Sequence, residues 1–202
     1  MSPETSVPFI GLTGGLGSGK STALAALERL GAVTLSTDAV VHALYSDDAE
    51  LRALVVERWG PDVAPGGVVD RSQVAKHAFA DPAERQWLEQ QIWPRVGQAV
   101  IDFRAAANTA RAGGEDIPAA IVETPLLFEA GMDKAYDATI AVIADERVRA
   151  ERAAARGHAN VDERAARQLT QQEKADRATY VVVNSGTVED LERELSTVLA
   201  RL

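Results

Sequence analysis

Gly14-Gly15-Leu16-Gly17-Ser18-Gly19-Lys20-Ser21 is the stretch on which the reading of this chain turns. Its spacing is G-x-x-x-x-G-K-[ST]. An apolar run, Pro8 to Thr13, precedes it, and Ala23, Leu24, Leu27 and Leu30 follow at helical spacing up to Gly31. Strand, glycine-rich loop and helix therefore succeed one another. Taken alone, such a loop could be no more than a flexible glycine segment. In this context the glycines let the backbone curl so that successive N–H groups face an anion, and the helix adds its unpaired N-terminal amides and positive dipole end. Gly14, Gly15, Leu16, Gly17, Ser18 and Gly19 then cradle a nucleoside triphosphate. Lys20 reaches its β- and γ-phosphates, Thr22 bonds the α-phosphate, and Ser21 offers a hydroxyl ligand to Mg²⁺.

Outward from the loop, Ala32 to Leu35 reads as a second short strand. Ser36, Thr37 or Asp38 can then cap a helix carrying Val40, Val41 and Leu44. From about Asp47 to Gly114 the apolar residues keep helical spacing, with a Gly/Pro-rich break at Gly60 to Gly67 and no persuasive strand. Ala119 to Val122 and Thr139 to Ile143 are apolar throughout, as interior parallel strands are. Asp145 opens a charged helix that Gly157 interrupts, and Asp162 is placed to cap the next. Tyr180 to Val183 makes a fifth strand, and Thr187 with Asp190 forms a capping box for the last helix. Alternating strands and helices predict an α/β fold with a mostly parallel sheet and right-handed crossovers.

Composition narrows the function. The 202 residues fit one domain, or one core with inserted subdomains, and 46% hydrophobic with 25% charged residues is an ordinary globular balance. With no cysteine, disulfide scaffolds, cysteine zinc sites and thiol nucleophiles are excluded, and His42, His77 and His158 share no metal-binding spacing. No apolar run reaches the roughly 20 residues that span a bilayer, and MSPETSVPF lacks the regions of a signal peptide, so a cytoplasmic location is expected. The formal charge of −9 opposes binding to nucleic acid or an anionic membrane. Positive charge is nevertheless gathered between Arg147 and Arg177, where eight basic residues face five acidic ones.

Three further groups bear on chemistry. Asp38 follows the second strand, where ligands sit in a parallel sheet, and a carboxylate there can orient an alcohol and accept its proton late in transfer. Capping a helix is its other role, and the two are compatible. Glu123 ends the third strand and can hold a Mg²⁺-bound water, or form a salt bridge at the sheet edge. Arg149, Arg152 and Arg156 project from one helix face among alanines, either as a lid that brings guanidinium groups to the transferring phosphoryl group or as an ordinary solvated helix paired with Glu151.

Taken in order, these residues resemble the dephospho-CoA kinases. The likeness runs from Ile10 to Gly186. It rests on Leu12-Thr-Gly-Gly-Leu-Gly-Ser-Gly-Lys-Ser-Thr22, Thr37-Asp38, Ala80-Asp-Pro-Ala-Glu-Arg85 with Trp87-Leu88-Glu89, and Pro125-Leu-Leu-Phe-Glu129. Arg152, Arg156, Gln168, Glu173-Lys174, Arg177, and Tyr180 with Asn184-Ser-Gly186 complete it. The resemblance implies a P-loop NTPase fold: a five-stranded parallel sheet flanked by helices, a helical insertion that binds substrate, and a helical lid. The core would cover about 8–37, 115–145 and 178–202, the coenzyme-binding helices about 38–114, and the lid about 146–177. It implies transfer of phosphate from ATP, with Mg²⁺, to the ribose 3′-hydroxyl of dephospho-CoA, the last step of coenzyme A synthesis. Lys20, Asp38 and Arg152 would be catalytic, with Asp38 facing the acceptor hydroxyl. Arg152, Arg156 and Arg177 would meet the nucleotide phosphates, and Asn184 would lie near the adenine. The chain departs from the family pattern at Ser36, Trp93, Glu123, Thr179 and Val183, where the family carries aspartate, histidine, aspartate, aspartate and aspartate.

Two rivals share the loop: a kinase for another small metabolite or nucleoside monophosphate, and a non-catalytic nucleotide switch. No guanine-reading Asn-Lys-x-Asp sequence is present to favour the switch. The expected partners are ATP and dephospho-CoA alone, and the expected state is a monomer. The tryptophans are expected to pack within the helical region.

Overall fold

The computed structural model describes residues 6–155 and 168–202. The sequence features assigned to Arg156, Gly157, His158 and Asp162 lie outside the described residues. Five strands, β1 (Phe9–Gly14), β2 (Val33–Ser36), β3 (Ala120–Glu123), β4 (Ala138–Ile143) and β5 (Tyr180–Val183), form one sheet in the order β2-β3-β1-β4-β5, with every neighbouring pair parallel. Each expected strand is present, shifted by no more than one residue at either end. The strand carrying the glycine loop is therefore the central one. Its flanks, β3 and β4, are buried almost throughout, as two-sided coverage demands. β5 lies at an edge and leaves Val181 and Val183 exposed.

Alternation along β1 assigns its faces. Ile10 and Leu12 join the core formed with α1 (Lys20–Arg29) and α8 (Val188–Leu199), where Ala23, Leu27, Leu191 and Leu195 close against Ile121, Ile140, Val142 and Val182. On the other face, Phe9 stacks on Tyr136 with ring centroids 4.9 Å apart, and Gly11 leaves room for Leu127 and Tyr136. A side chain at Gly11 would run into Leu127. α8 opens with the expected capping box, Thr187 accepting from the Asp190 N–H while the Asp190 carboxylate accepts from the Thr187 N–H. Gly31, with φ 92°, follows the last turn of α1 in the left-handed conformation that suits glycine there.

The chain divides into two compact units, one comprising 1–36 and 104–202 and the other 37–103. The second is helical: α2 (Thr37–Asp47), α3 (Ala49–Trp59), α4 (Arg71–Ala80) and α5 (Pro82–Ala112) as far as Phe103. Its own core contains Tyr45, Leu51, Val55, Val63, Val74, Leu88 and Ile92. Asp48 caps α3 by accepting from the Leu51 N–H at 2.8 Å and holds Arg95 of α5 at 2.9 Å. Arg58 and Trp59 close the unit from α3 onto Glu84, which accepts from the guanidinium Nε and Nη2 and from the indole N–H. These bonds pull the Glu84 carboxyl down to about 2. Trp59 and Trp87 pack as expected, edge to face at 5.1 Å, whereas Trp93 does not. It lies on α5 and is 63% exposed. Among the described residues, no helix is long and apolar enough to cross a membrane.

Candidate functional site

The loop between β1 and α1 curls as its sequence requires. Gly17 and Gly19 have φ of 75° and 88°, and the Ser18 N–H closes a turn onto the Gly15 carbonyl at 3.2 Å. Close packing leaves no space for a side chain at three of its glycines. A side chain at Gly14 would meet the Val142 carbonyl and the Ser18 hydroxyl, one at Gly17 would meet the Arg149 backbone, and one at Gly19 would fall on the Asn184 amide. α3, α4, α7 (Gln171–Arg177) and α8 all carry side-chain caps, but no side chain caps α1, and its first turn holds no acid. The positive end of α1 thus carries neither a side-chain cap nor an acid among the described residues, and such a helix end favours negative charge.

Around this loop the structure gathers charges and amides from the loop's own lysine and two other segments. Lys20 folds back over it and donates to the Gly14 and Gly15 carbonyls at 3.0 and 3.2 Å. The adjoining Ser21 is exposed and Thr22 half-buried. From α6 (Glu146–Ala155), Arg149 donates through Nε to the Leu16 carbonyl at 3.0 Å and pairs with Glu146 at 2.6 Å. Arg152, one turn on, donates to the Asn184 carbonyl at 3.1 Å. Asn184, buried just past β5, receives its place from a backbone bond to Ile143 and donates from Nδ2 to the Ser18 carbonyl at 2.9 Å. Arg152, Asn184 and the loop are therefore contiguous. The arginine-bearing helix is docked on the loop rather than free in solvent.

Glu123 is buried at the end of β3, in register with Ser36 and with Leu12. The Ser36 hydroxyl donates to its Oε2 at 2.7 Å. The two departures at Ser36 and Glu123 thus meet: a short hydroxyl opposite a long acid closes the same gap between neighbouring strands. Asp38 stands in the first turn of α2, in the helical unit. Arg177 is exposed in the last turn of α7, and among the described residues no hydrogen bond or ion pair joins it to the loop. Arg156 lies outside the described residues.

Sequence reasoning passed over several groups that the fold places beside the loop. Arg149 belonged to the arginine stripe but received no place among the binding residues. Only its docking on Leu16 and Gly17 sets it apart. Gln171 gave no signal at all, yet its side-chain amide accepts from the Ala144 N–H and donates to the Ala144 carbonyl at 3.1 and 2.9 Å. Lys174 is completely buried, which a lysine's composition statistics argue against. The pairing of Glu173-Lys174 with Pro125-Leu-Leu-Phe-Glu129 was the available hint.

Comparison with known proteins agrees with this geometry. A family model described as dephospho-CoA kinase matches residues 8–190. The dephospho-CoA kinase of Anaeromyxobacter dehalogenans is 38% identical over 197 residues, covering 96% of this chain and 91% of that protein. That of Deinococcus radiodurans is 38% identical over 208 residues, covering all of this chain and 97% of its own. Among solved structures, a crystal structure from Thermus thermophilus superposes with a TM-score of 0.75 at 34% identity over 98% of each chain. The dephospho-CoA kinase from Campylobacter jejuni, at 18% identity and a TM-score of 0.67 over 96% of each chain, shares the fold.

Proposed function

The chain belongs to the dephospho-CoA kinase family, and from that premise we propose that it transfers the γ-phosphoryl group of ATP to the ribose 3′-hydroxyl of dephospho-CoA, giving coenzyme A and ADP in the last step of coenzyme A synthesis. The observation that carries the reading is the uncapped, glycine-rich entry to α1 at the carboxyl end of the central strand, in a chain matched to that family over residues 8–190.

Each residue's part follows from phosphoryl-transfer chemistry, in which positioning and charge stabilisation supply most of the catalysis. The amides of Gly15 to Ser21 and the positive end of α1 hold the phosphates. Lys20 exchanges its present bonds to the Gly14 and Gly15 carbonyls for the β- and γ-phosphates, a movement of a flexible side chain. Arg152, already at the loop through Asn184, supports the negative charge carried by the transferring group, and Arg149, Arg156 and Arg177 add to the field. Asn184 borders the adenine side. Asp38 aligns the acceptor hydroxyl and receives its proton as the new P–O bond forms and the bond to ADP breaks. The helices of about 38–114 receive the coenzyme, and the segment of about 146–177 covers the phosphates.

Mg²⁺ fits the donors present. Ser21 offers an exposed hydroxyl where the loop becomes helix, and Glu123 offers a buried carboxylate held by Ser36. Among the described residues, no cluster of three or more His, Cys, Asp or Glu forms a cation cage of its own. This suits an ion that keeps its waters and arrives with a polyphosphate. When bound, Mg²⁺ neutralises phosphate charge. We also propose a monomer acting in the cytoplasm on these two small substrates, without nucleic acid, in keeping with the formal charge of −9.

Incubation with ATP, Mg²⁺ and a panel of acceptors tests the reading. Stoichiometric appearance of ADP and coenzyme A with dephospho-CoA is expected. Phosphorylation of a nucleoside monophosphate or another alcohol, with dephospho-CoA inert, would overturn it.

A further inference from the structure

Helix α7 lies on the face of the sheet opposite α1 and α8, packed against β4 and β1, and of its side chains only Arg177, in the last turn, has a part in the proposed reaction. Two of its side chains, three residues apart and so on one face, reach the backbone just past β4 and β3 and a hydroxyl near the carboxyl end of β1. Gln171 grips both the N–H and the carbonyl of Ala144, the residue after β4, with its amide. Its Cβ also lies 3.6 Å from where a side chain at Gly15 would begin, so the helix borders the phosphate loop.

Lys174 links β1 and β3. Completely buried, it donates to the Pro125 carbonyl at 2.6 Å, just past β3, and approaches the Thr13 hydroxyl in β1 at 3.4 Å. Glu129 balances its charge at 2.8 Å. The same carboxylate oxygen accepts from the Leu169 N–H at 2.8 Å, which ties the approach to α7 into the cluster. Burial draws the Lys174 ammonium below the usual lysine range while Glu129 opposes that shift. A buried charge held this way is weak evidence for stability as such, since an apolar pair of similar size commonly does as well. What the apolar pair would lack is the bond to the Pro125 carbonyl and the contact with the Thr13 hydroxyl.

We infer that Gln171 and Lys174, with Glu129 as counter-charge, are positioning residues: α7 fixes the carboxyl ends of β3, β1 and β4 against one another and so sets the shape of the phosphate loop. The inference rests on the reading of that loop as the ATP site and deepens it. Neither side chain touches substrate in this account. Both act through Gly15, Thr13, Pro125 and Ala144.

The test compares the wild-type chain with Gln171→Leu and with Lys174→Met/Glu129→Gln, a double variant that removes the ties without stranding a buried charge. Titration calorimetry with a non-hydrolysable ATP analogue and Mg²⁺, and separately with dephospho-CoA, gives two dissociation constants for each, alongside Tm. Misplacement of binding groups by a fraction of an ångström is expected to weaken nucleotide binding by about tenfold in both variants and leave dephospho-CoA binding within about twofold. Nucleotide affinity within about twofold of wild type, whatever happens to Tm, would reduce these residues to structural ones and overturn the inference. So would an equal loss for both ligands. If the double variant does not fold, Gln171→Leu, which keeps the ion pair, decides alone. A wild-type chain that binds the nucleotide but transfers nothing to dephospho-CoA would overturn the proposed reaction and leave the positioning test standing.

Discussion

Replacing Gly19 by alanine probes the closest contact in the loop. Gly19 sits at φ 88°, ψ 32°, and an added Cβ would clash severely with Asn184 Nδ2. Two costs follow. Holding alanine in the left-handed region costs about 1–2 kcal/mol. Pushing the Asn184 amide aside breaks its bond to the Ser18 carbonyl and leaves buried polar atoms unpaired, about 1–3 kcal/mol more. The sum is about 2–5 kcal/mol. At roughly 2–4 °C per kcal/mol for a chain of this size, Tm should fall by about 4–20 °C. The assay is thermal unfolding followed by circular dichroism, in a cycle with Asn184→Ala. With the amide already gone, Gly19→Ala should cost only the backbone part, so the two substitutions should fall short of additivity by about 1 kcal/mol or more. A Tm drop under about 2 °C for Gly19→Ala, or additivity within about 0.5 kcal/mol, would refute the packing argument.

Other outcomes follow from the same geometry. Lys20→Ala should lower kcat with dephospho-CoA by about a hundredfold or more, read by coupled ADP release, because a charge aimed at the transferring phosphate is lost. Asp38→Asn should keep ATP binding in calorimetry and lose most transfer, and full retained turnover would remove Asp38 from the mechanism. For Glu84, the folded-state value of about 2 lies below the ordinary carboxylate range, so its contribution to stability is present above that range and lost as pH falls towards 2. Glu84→Gln should therefore lower Tm at pH 7 and flatten the acid limb of the Tm–pH curve between about 4.5 and 2.

What could be read in advance was local. The loop from Gly14 to Ser21 fixes its own curl because glycine alone enters φ of 75° and 88° cheaply. The capping box of Thr187 and Asp190 spans three residues, and the unbroken apolar runs of β3 and β4 announce two-sided burial. None of these needs a distant partner. The charge pattern likewise placed Arg149 and Arg152 on one helix face before any fold was known.

Tertiary structure decided which distant groups those devices serve. Ser36 meets Glu123 across 87 residues and Asn184 meets Ser18 across 166, because the strand order β2-β3-β1-β4-β5 brings chain segments together that sequence proximity separates. Lys174 shows the reason most plainly. On sequence it is one more positive charge in a basic stretch, and burying an ammonium is unfavourable unless a counter-charge and acceptors are waiting. Glu129, Pro125 and Thr13 are those partners, and only the folded sheet puts all three within its reach.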